Sequence, residues 1–236
     1  MKHYLVSSAL VLSYACGGSE TDPGSGNDPG DGTSTLFVDG SARAEPRLTN
    51  ARSWGDFDTH FSVRVRTLDG ANVTEGTVAI TSATGKVPLT FQPDQEGRWV
   101  GTAAGYDEVY ILDVDRGTDH VHGVRVDGPD IHYFTDPQPG ATVDSSQPLM
   151  VRWSSDDAAP SAWIRAERID DLSIPDSGSY MLSAGALKAE KDKPVENELR
   201  LSRADRVTPA GAAGGSVLEV SVRNEMSVVA MPNPAL

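Results

Sequence analysis

The chain has a single cysteine, Cys16, so no disulfide can form within it and its stability must come from packing. Basic residues are scarce. Lys and Arg total 20 against 34 Asp and Glu, giving a formal net charge of −14. So acidic a chain is repelled by phosphate backbones and anionic head groups, so nucleic acid is not expected as a partner. Long apolar runs are missing too. Tyr4 to Ala15 is uncharged and mostly apolar, but a transmembrane helix needs about 20 such residues. No Gly-x-Ser-x-Gly elbow, no HExxH and no phosphate-binding loop occurs, and His3 is one of only five histidines. A catalytic role is therefore not expected, although a triad assembled in space from separate Ser and His residues leaves no sequence motif.

What is present at the start reads as an export signal. Lys2 and His3 form a polar, partly basic lead, the apolar run follows, and small residues close it. The run ends Leu12-Ser13-Tyr14-Ala15-Cys16, followed by Gly17-Gly18. In these residues the chain resembles a bacterial lipoprotein. Ala15 fits the position before the lipidated cysteine, while Leu12 stands one place earlier than the leucine usual in that family. The resemblance implies cleavage before Cys16, acylation of its sulfur and, because Gly17 is not Asp, retention at the outer membrane. More than one acyl chain holds a protein stably, whereas one holds it marginally. The alternatives are an ordinary signal peptide cut after Ala15, or a buried thiol. Losing Lys2 with the leader takes the formal charge from −14 to −15.

Gly17 to Ser34 holds no large apolar residue and cannot build a core, so residues 16–34 are expected as a lipidated cysteine and disordered linker. The 18 residues Gly17 to Ser34 reach at most about 60 Å extended and average about 20–25 Å as a coil. Beyond them lie about 200 residues, enough for one large or two small domains with a real core.

In the first globular stretch, 35–128, apolar residues recur with period two. Phe61, Val63 and Val65 alternate with Ser62, Arg64 and Arg66, and a turn follows at Asp69-Gly70. Val78 and Ile80 continue the pattern, as do Val87, Leu89 and Phe91. Trp99 opens a short strand, Val109–Val114 is denser in apolar residues, and Val121–Val126 follows the Gly117 turn. No helical period appears. Short strands at intervals of about 8–12 residues with turns between them predict a sandwich. The order Val-Arg-Val-Arg-Thr-Leu-Asp-Gly-Ala-Asn-Val, Gly-Thr-Val-Ala-Ile, Gly-Arg-Trp-Val-Gly-Thr resembles bacterial immunoglobulin-like modules.

The second stretch, 129–236, follows a hinge expected at Asp127-Gly128-Pro129-Asp130. Ile131–Phe134, Leu149–Ser154, Trp163–Ala166, Tyr180–Leu182, Glu198–Ser202, Leu218–Val222 and Ser227–Met231 read as strands. One short helical turn is expected within Ala184–Ala189, and a long mobile loop over 203–216. With Trp153 on an early strand, this half resembles a fibronectin type III-like sandwich. The expected fold class is all-β: two immunoglobulin-like sandwiches after a signal peptide (1–15) and linker.

Few residues carry candidate chemistry. His120 and His122 share a strand face and, with Asp119, could offer metal ligands, but two imidazoles without a strong third ligand fall short of zinc's tetrahedral demand, so no metal is expected. Asp113, Asp115 and Asp119 flank the Gly117 turn in the manner of a calcium loop, but lack the remaining oxygens. Asp170, Asp171 and Asp176 read as an exposed acidic loop. Among Trp54, Trp99, Tyr106 and Tyr110, Trp54 sits in the polar stretch Asn50–Asp58 and is the one expected to be exposed for sugar stacking. The expectation is an envelope lipoprotein without a cofactor, held to the membrane through Cys16 and binding a protein partner. A carbohydrate-binding module using Trp54 is the alternative, and a hydrolase is the third reading.

Overall fold

The computed structural model describes residues 26–233. The expected signal peptide 1–15, Cys16 and the linker up to residue 25 lie outside the described residues. The fold is all-β, with one short 3-10 turn at Trp54–Asp56.

A five-stranded sheet pairs in the order β1 (Asp31–Gly32), β9 (Asp119–Asp127), β8 (Val109–Arg116), β4 (Thr77–Ser82) and β5 (Gly85–Pro88). A three-stranded sheet pairs β10 (Tyr133–Asp136), β12 (Leu149–Ser154) and β15 (Ser179–Leu182). The third sheet runs β14 (Ile169–Ile174), β13 (Ser161–Ala166), β16 (Val195–Val207), β17 (Val217–Ala230), β2 (Leu36–Pro46), β3 (Phe57–Thr67), β7 (Arg98–Ala104) and β6 (Thr90–Gln92). Its ninth strand, β11 (Thr142–Val143), pairs the far end of β17.

This long sheet serves two sandwiches. Its β2-β3-β7-β6 half closes over the five-stranded sheet, around a core containing Phe57, Phe61, Tyr110, Leu112 and Val124. Its other half closes over the three-stranded sheet, around Phe134, Trp153, Ile164, Leu182 and Leu199. The hairpin β16–β17 is common to both. β17 buries alternate residues along all 14 positions. Leu218, Val220 and Val222 enter the first core, and Met226 and Val228 enter the second. At about 1.5–3 kcal/mol for each fully buried aliphatic side chain, one strand contributes substantially to both cores.

β17 reaches the first sandwich by parallel pairing with β2, from Val217↔Asp39 to Val222↔Ala44. The inner row of β2 narrows from Leu36 and Val38 to Gly40, Ala42 and Ala44, so its apolar period fades along the strand. Close approach explains the glycine: a Cβ on Gly40 would sit 2.9 Å from Leu218 Cδ1.

Between its two apolar runs β17 places Asn224, fully buried. Its amide nitrogen donates to the carbonyls of Ala51 (2.7 Å) and His132 (2.6 Å), and its oxygen accepts from Ala51 N–H at 3.0 Å. Beside it, the Asn50 side chain brackets Phe134, accepting from its N–H at 2.7 Å and donating to its carbonyl at 3.0 Å. These amides fill the seam between the two cores.

Several expectations are corrected. Residues 26–34, expected as linker, pair with the edge of β9: Asp28 and Arg125 exchange backbone bonds of 3.0 and 2.8 Å, and Asp31 and Gly32 face His122 and Val121. Residues 203–207, expected in a mobile loop, extend β16. Ser227–Met231 is no separate strand, since β17 runs on to Ala230. The expected helical turn at Ala184–Ala189 is irregular chain whose Ala186 and Leu187 are buried. The run Val87–Phe91 changes sheets at Leu89, with β5 in one and β6 in the other. The Gly128 hinge is packed shut. A Cβ there would meet Val220 Cγ1 at 2.4 Å and Tyr106 Oη at 2.5 Å, and the Tyr106 hydroxyl donates to the Pro129 carbonyl at 2.7 Å.

Candidate binding face

Strand alternation sends one side chain in two to the outer face of the nine-stranded sheet. The inner rows are mostly apolar, so most polar residues collect outside. Arg43 on β2, Arg64 on β3, Arg98 on β7, Arg165 on β13, Arg200 on β16 and Arg223 on β17 all lie on that face. In an acidic chain this is a concentration of guanidinium groups, laced with carboxylates. Arg98 pairs with Asp39 at 3.1 Å, Arg223 with Glu45 at 3.5 Å, and Arg200 with Glu198 and Glu225. Arg43 makes no ion pair within 4 Å among the described residues. An open hollow of about 720 Å³, including solvent-open space, lies where Arg43, Trp163, Ser202, Glu219, Ser221 and Arg223 converge. Further hollows lie along the same face around Arg98 and His60, and around Arg165 and Arg200. Trp163 stands on the outer row of β13, half-buried, with its neighbours Ala162 and Ile164 in the core. Because the sheet is continuous, this face crosses from one sandwich to the other without a gap.

The residues singled out from sequence are distributed differently. Trp54 is 44% exposed, while Trp99, Tyr106 and Tyr110 are buried. One face of Trp54 is already occupied by Tyr106, stacked at 5.5 Å with rings 18° apart. The four aromatics therefore do not form a stacking platform; only Trp54 presents a ring edge and face to solvent.

Asp113, Asp115 and Asp119 do not converge on a calcium loop. Asp113 accepts the Gly123 N–H at 3.0 Å, Asp115 bonds His122 Nε2 at 2.7 Å, and Asp119 accepts the Thr35 hydroxyl at 2.8 Å and pairs with Arg116 at 3.6 Å. His120 and His122 do share a face, their rings stacked at 4.7 Å. The third group beside them is the Asp31 carboxylate, from the stretch expected as linker, not Asp119. The ligand atoms of Asp31, His120 and His122 lie within 4.8 Å of one another.

The acidic group on and just after β14 divides. Asp170 and Asp171 are exposed as expected. Asp176 is not: its side chain is 2% exposed. Its carboxylate accepts from Arg203 Nε at 2.7 Å, Trp153 Nε1 at 2.9 Å and the Ala159 N–H at 2.6 Å. Arg203, fully buried, also donates to the carbonyls of Asp130 (2.8 Å) and Asp157. Nearby, His132 is fully enclosed, and its Nε2 meets the Leu201 carbonyl at 3.0 Å. Burial, aided by the Arg203 charge, drives its pKa down to about 3, so it is a neutral imidazole.

Sequence reasoning passed over Glu108, which lines the seam hollow with Gly128, Pro129, Asp130, Asp157 and Arg203. Burial first, then a hydrogen bond and charge from Asp130, raise its pKa to about 7. A local signal existed, since Glu108 ends the acidic pair Asp107-Glu108 before an apolar strand, but its partner Asp130 is distant in sequence.

No family model matches the chain, and no curated protein matches it. Among solved structures, it is similar to the native conformation of E. coli alpha-2-macroglobulin, at 13% identity over 84% of this chain and 14% of that one, with a TM-score of 0.25. It is also similar to the BSP domain of a biofilm-associated protein, at 14% identity over 85% of this chain and 30% of that one, with a TM-score of 0.21. The chain thus spans less than a third of either structure, and overlaps this loose carry no argument about fold or activity.

Proposed function

We propose that the chain is a non-catalytic binding module of the bacterial envelope, anchored through lipid on Cys16, whose outer sheet face holds a protein partner. One observation carries this reading: the uninterrupted arginine-rich face that spans both sandwiches, with Trp163 beside one of its hollows and Arg43 outside every ion pair among the described residues. Aromatic and arginine side chains are the groups that most often anchor protein interfaces, and a rigid face loses little entropy on docking. The partner's complementary patch is acidic to mixed in charge and carries an apolar knob for the hollow.

The test is crosslinking in intact cells that express the full tagged chain, with identification of what co-purifies. One dominant protein is expected, and it should fall severalfold with Arg43→Glu or Trp163→Ala. Recovery of envelope glycan alone, insensitive to both changes, would replace this reading with the carbohydrate one. That second reading rests on the exposed ring of Trp54, and Trp54→Ala should then abolish glycan retention. The anchor is checked separately. Cys16→Ser should move the protein from the membrane to the soluble fraction and end incorporation of labelled palmitate.

A further inference from the structure

The N-terminal segment is fastened to the five-stranded sheet by close backbone packing. A Cβ on Gly30 would lie 2.2 Å from the His122 carbonyl oxygen, and one on Gly32 would lie 2.5 Å from the carbonyl oxygens of both His120 and Gly211. Glycine on either side of Asp31 is what lets β1 lie flat on β9. Thr33 N–H donates to the His120 carbonyl at 3.0 Å, and His120 N–H donates to the Thr33 hydroxyl at 3.1 Å. Asp31 is therefore held in register directly opposite His122. Its carboxylate and the two imidazoles sit on a rigid strand pair, not on a loop.

We propose that Asp31, His120 and His122 form a site for a divalent transition-metal ion of the zinc type, with Asp115 positioning His122. Four observations support it. The three ligand atoms lie within 4.8 Å of one another, and ligands at zinc's bond lengths of about 2.1 Å stand about 3.4 Å apart, so ordinary side-chain adjustment closes the set. The His-x-His spacing puts both rings on one strand face, stacked at 4.7 Å. Asp115 Oδ1 holds His122 Nε2 at 2.7 Å, which leaves Nδ1 as the ligating nitrogen, in the carboxylate–histidine–metal arrangement that fixes ring orientation in metal sites. An open hollow bounded by Asp28, Gly30, Asp31, His122 and Gly123 gives an ion access and leaves room for water. Two imidazoles and one carboxylate favour zinc, nickel or copper over calcium, which takes oxygen alone.

Such an ion would clasp the segment that leads from the leader onto the first sandwich, adding stability to that contact by mass action. The site is on the opposite sheet from the arginine-rich face, so its test does not depend on the partner reading.

The untagged full chain, stripped with EDTA, is titrated with zinc chloride by calorimetry. One zinc per chain is expected, with Asp31→Asn, His120→Ala and His122→Ala each lowering affinity tenfold or more. Asp115→Asn, acting through His122, should weaken binding about 10- to 100-fold. Zinc should also slow amide exchange across residues 28–34, and calcium should do neither. Absence of one-site binding in the wild-type chain would overturn the proposal. So would unchanged affinity in an Asp31→Asn/His120→Ala double variant that melts like the wild-type chain without metal. If that variant melts early, Asp31→Asn alone, which preserves the side-chain shape, decides the question.

Discussion

The first sandwich buries aliphatic and aromatic side chains whose few polar atoms are neutral, hydroxyls and the Trp99 indole nitrogen, which donates to the Val73 carbonyl at 3.0 Å. Thr59 donates to the Gly105 carbonyl at 2.6 Å and lies 3.2 Å from the Tyr110 hydroxyl, and Tyr106 reaches the Pro129 carbonyl. The second sandwich closes over ions: Arg203 and Asp176, with the neutral imidazole of His132 alongside. Neutral hydroxyls cost little to bury once bonded. A guanidinium and a carboxylate are costly to desolvate and tolerate only a fully bonded arrangement. The first core is therefore expected to absorb substitutions by local collapse, and the second to respond sharply at a few ionic positions.

The largest break should come from Arg203→Ala. It leaves the Asp176 carboxylate buried without its cation and should cost about 3–5 kcal/mol, read as a drop in midpoint by chemical denaturation. Next, Leu112→Ala in the first core and Leu199→Ala in the second should each cost about 2–5 kcal/mol. Since β16–β17 is common to both cores, each variant should still melt in a single calorimetric transition. Two separated transitions would show that the hairpin does not couple the sandwiches. Asn224→Ala at the seam removes an amide that makes three bonds to Ala51 and His132, and should cost about 1–3 kcal/mol.

The smallest effect is in pH dependence, where the two regions pull in opposite directions. His132 titrates near 6.5 when unfolded and about 3 when folded. The unfolded chain thus binds more protons across that window, and stability is lost as pH falls from about 6.5 towards 3. Glu108 titrates near 4.5 unfolded and about 7 folded. Here the folded chain binds more protons, so acidification from about 7 to 4.5 favours the fold. The two should offset each other between about 4.5 and 6.5. Glu108→Gln should therefore steepen the acid-side loss of stability in that range, as measured by denaturation at a series of pH values. A slope equal to that of the wild-type chain would mean that Glu108 is solvated.

Strands such as β3 in the first sandwich were readable because their inner rows are large apolar residues in strict alternation, as in Phe61-Val63-Val65, which the structure buries. β2 was not readable along its length, because after Leu36 and Val38 its inner row is Gly40, Ala42 and Ala44, which give little apolar contrast. Asn224 left a mark that can be read afterwards, being the single polar residue in the inner row of β17. Arg203 and Asp176 looked like exposed loop residues, since an ion pair 27 residues apart has no local signature. Trp54 was correctly placed as the exposed aromatic, but its stacking on Tyr106 was not visible in sequence.

By itself the sequence determined the all-β class, most strand faces and the acidic balance, because side-chain period and turn chemistry are properties of neighbouring residues. The tertiary structure decided the rest. It ran β17 parallel to β2, carried one sheet through both sandwiches, and packed the Gly128 hinge. It also brought Asp31 to His120 and His122, and turned Arg203 inward onto Asp176. Each of these joins residues far apart in the chain, and only the packing of whole sheets, with every buried polar group needing a partner, selects them.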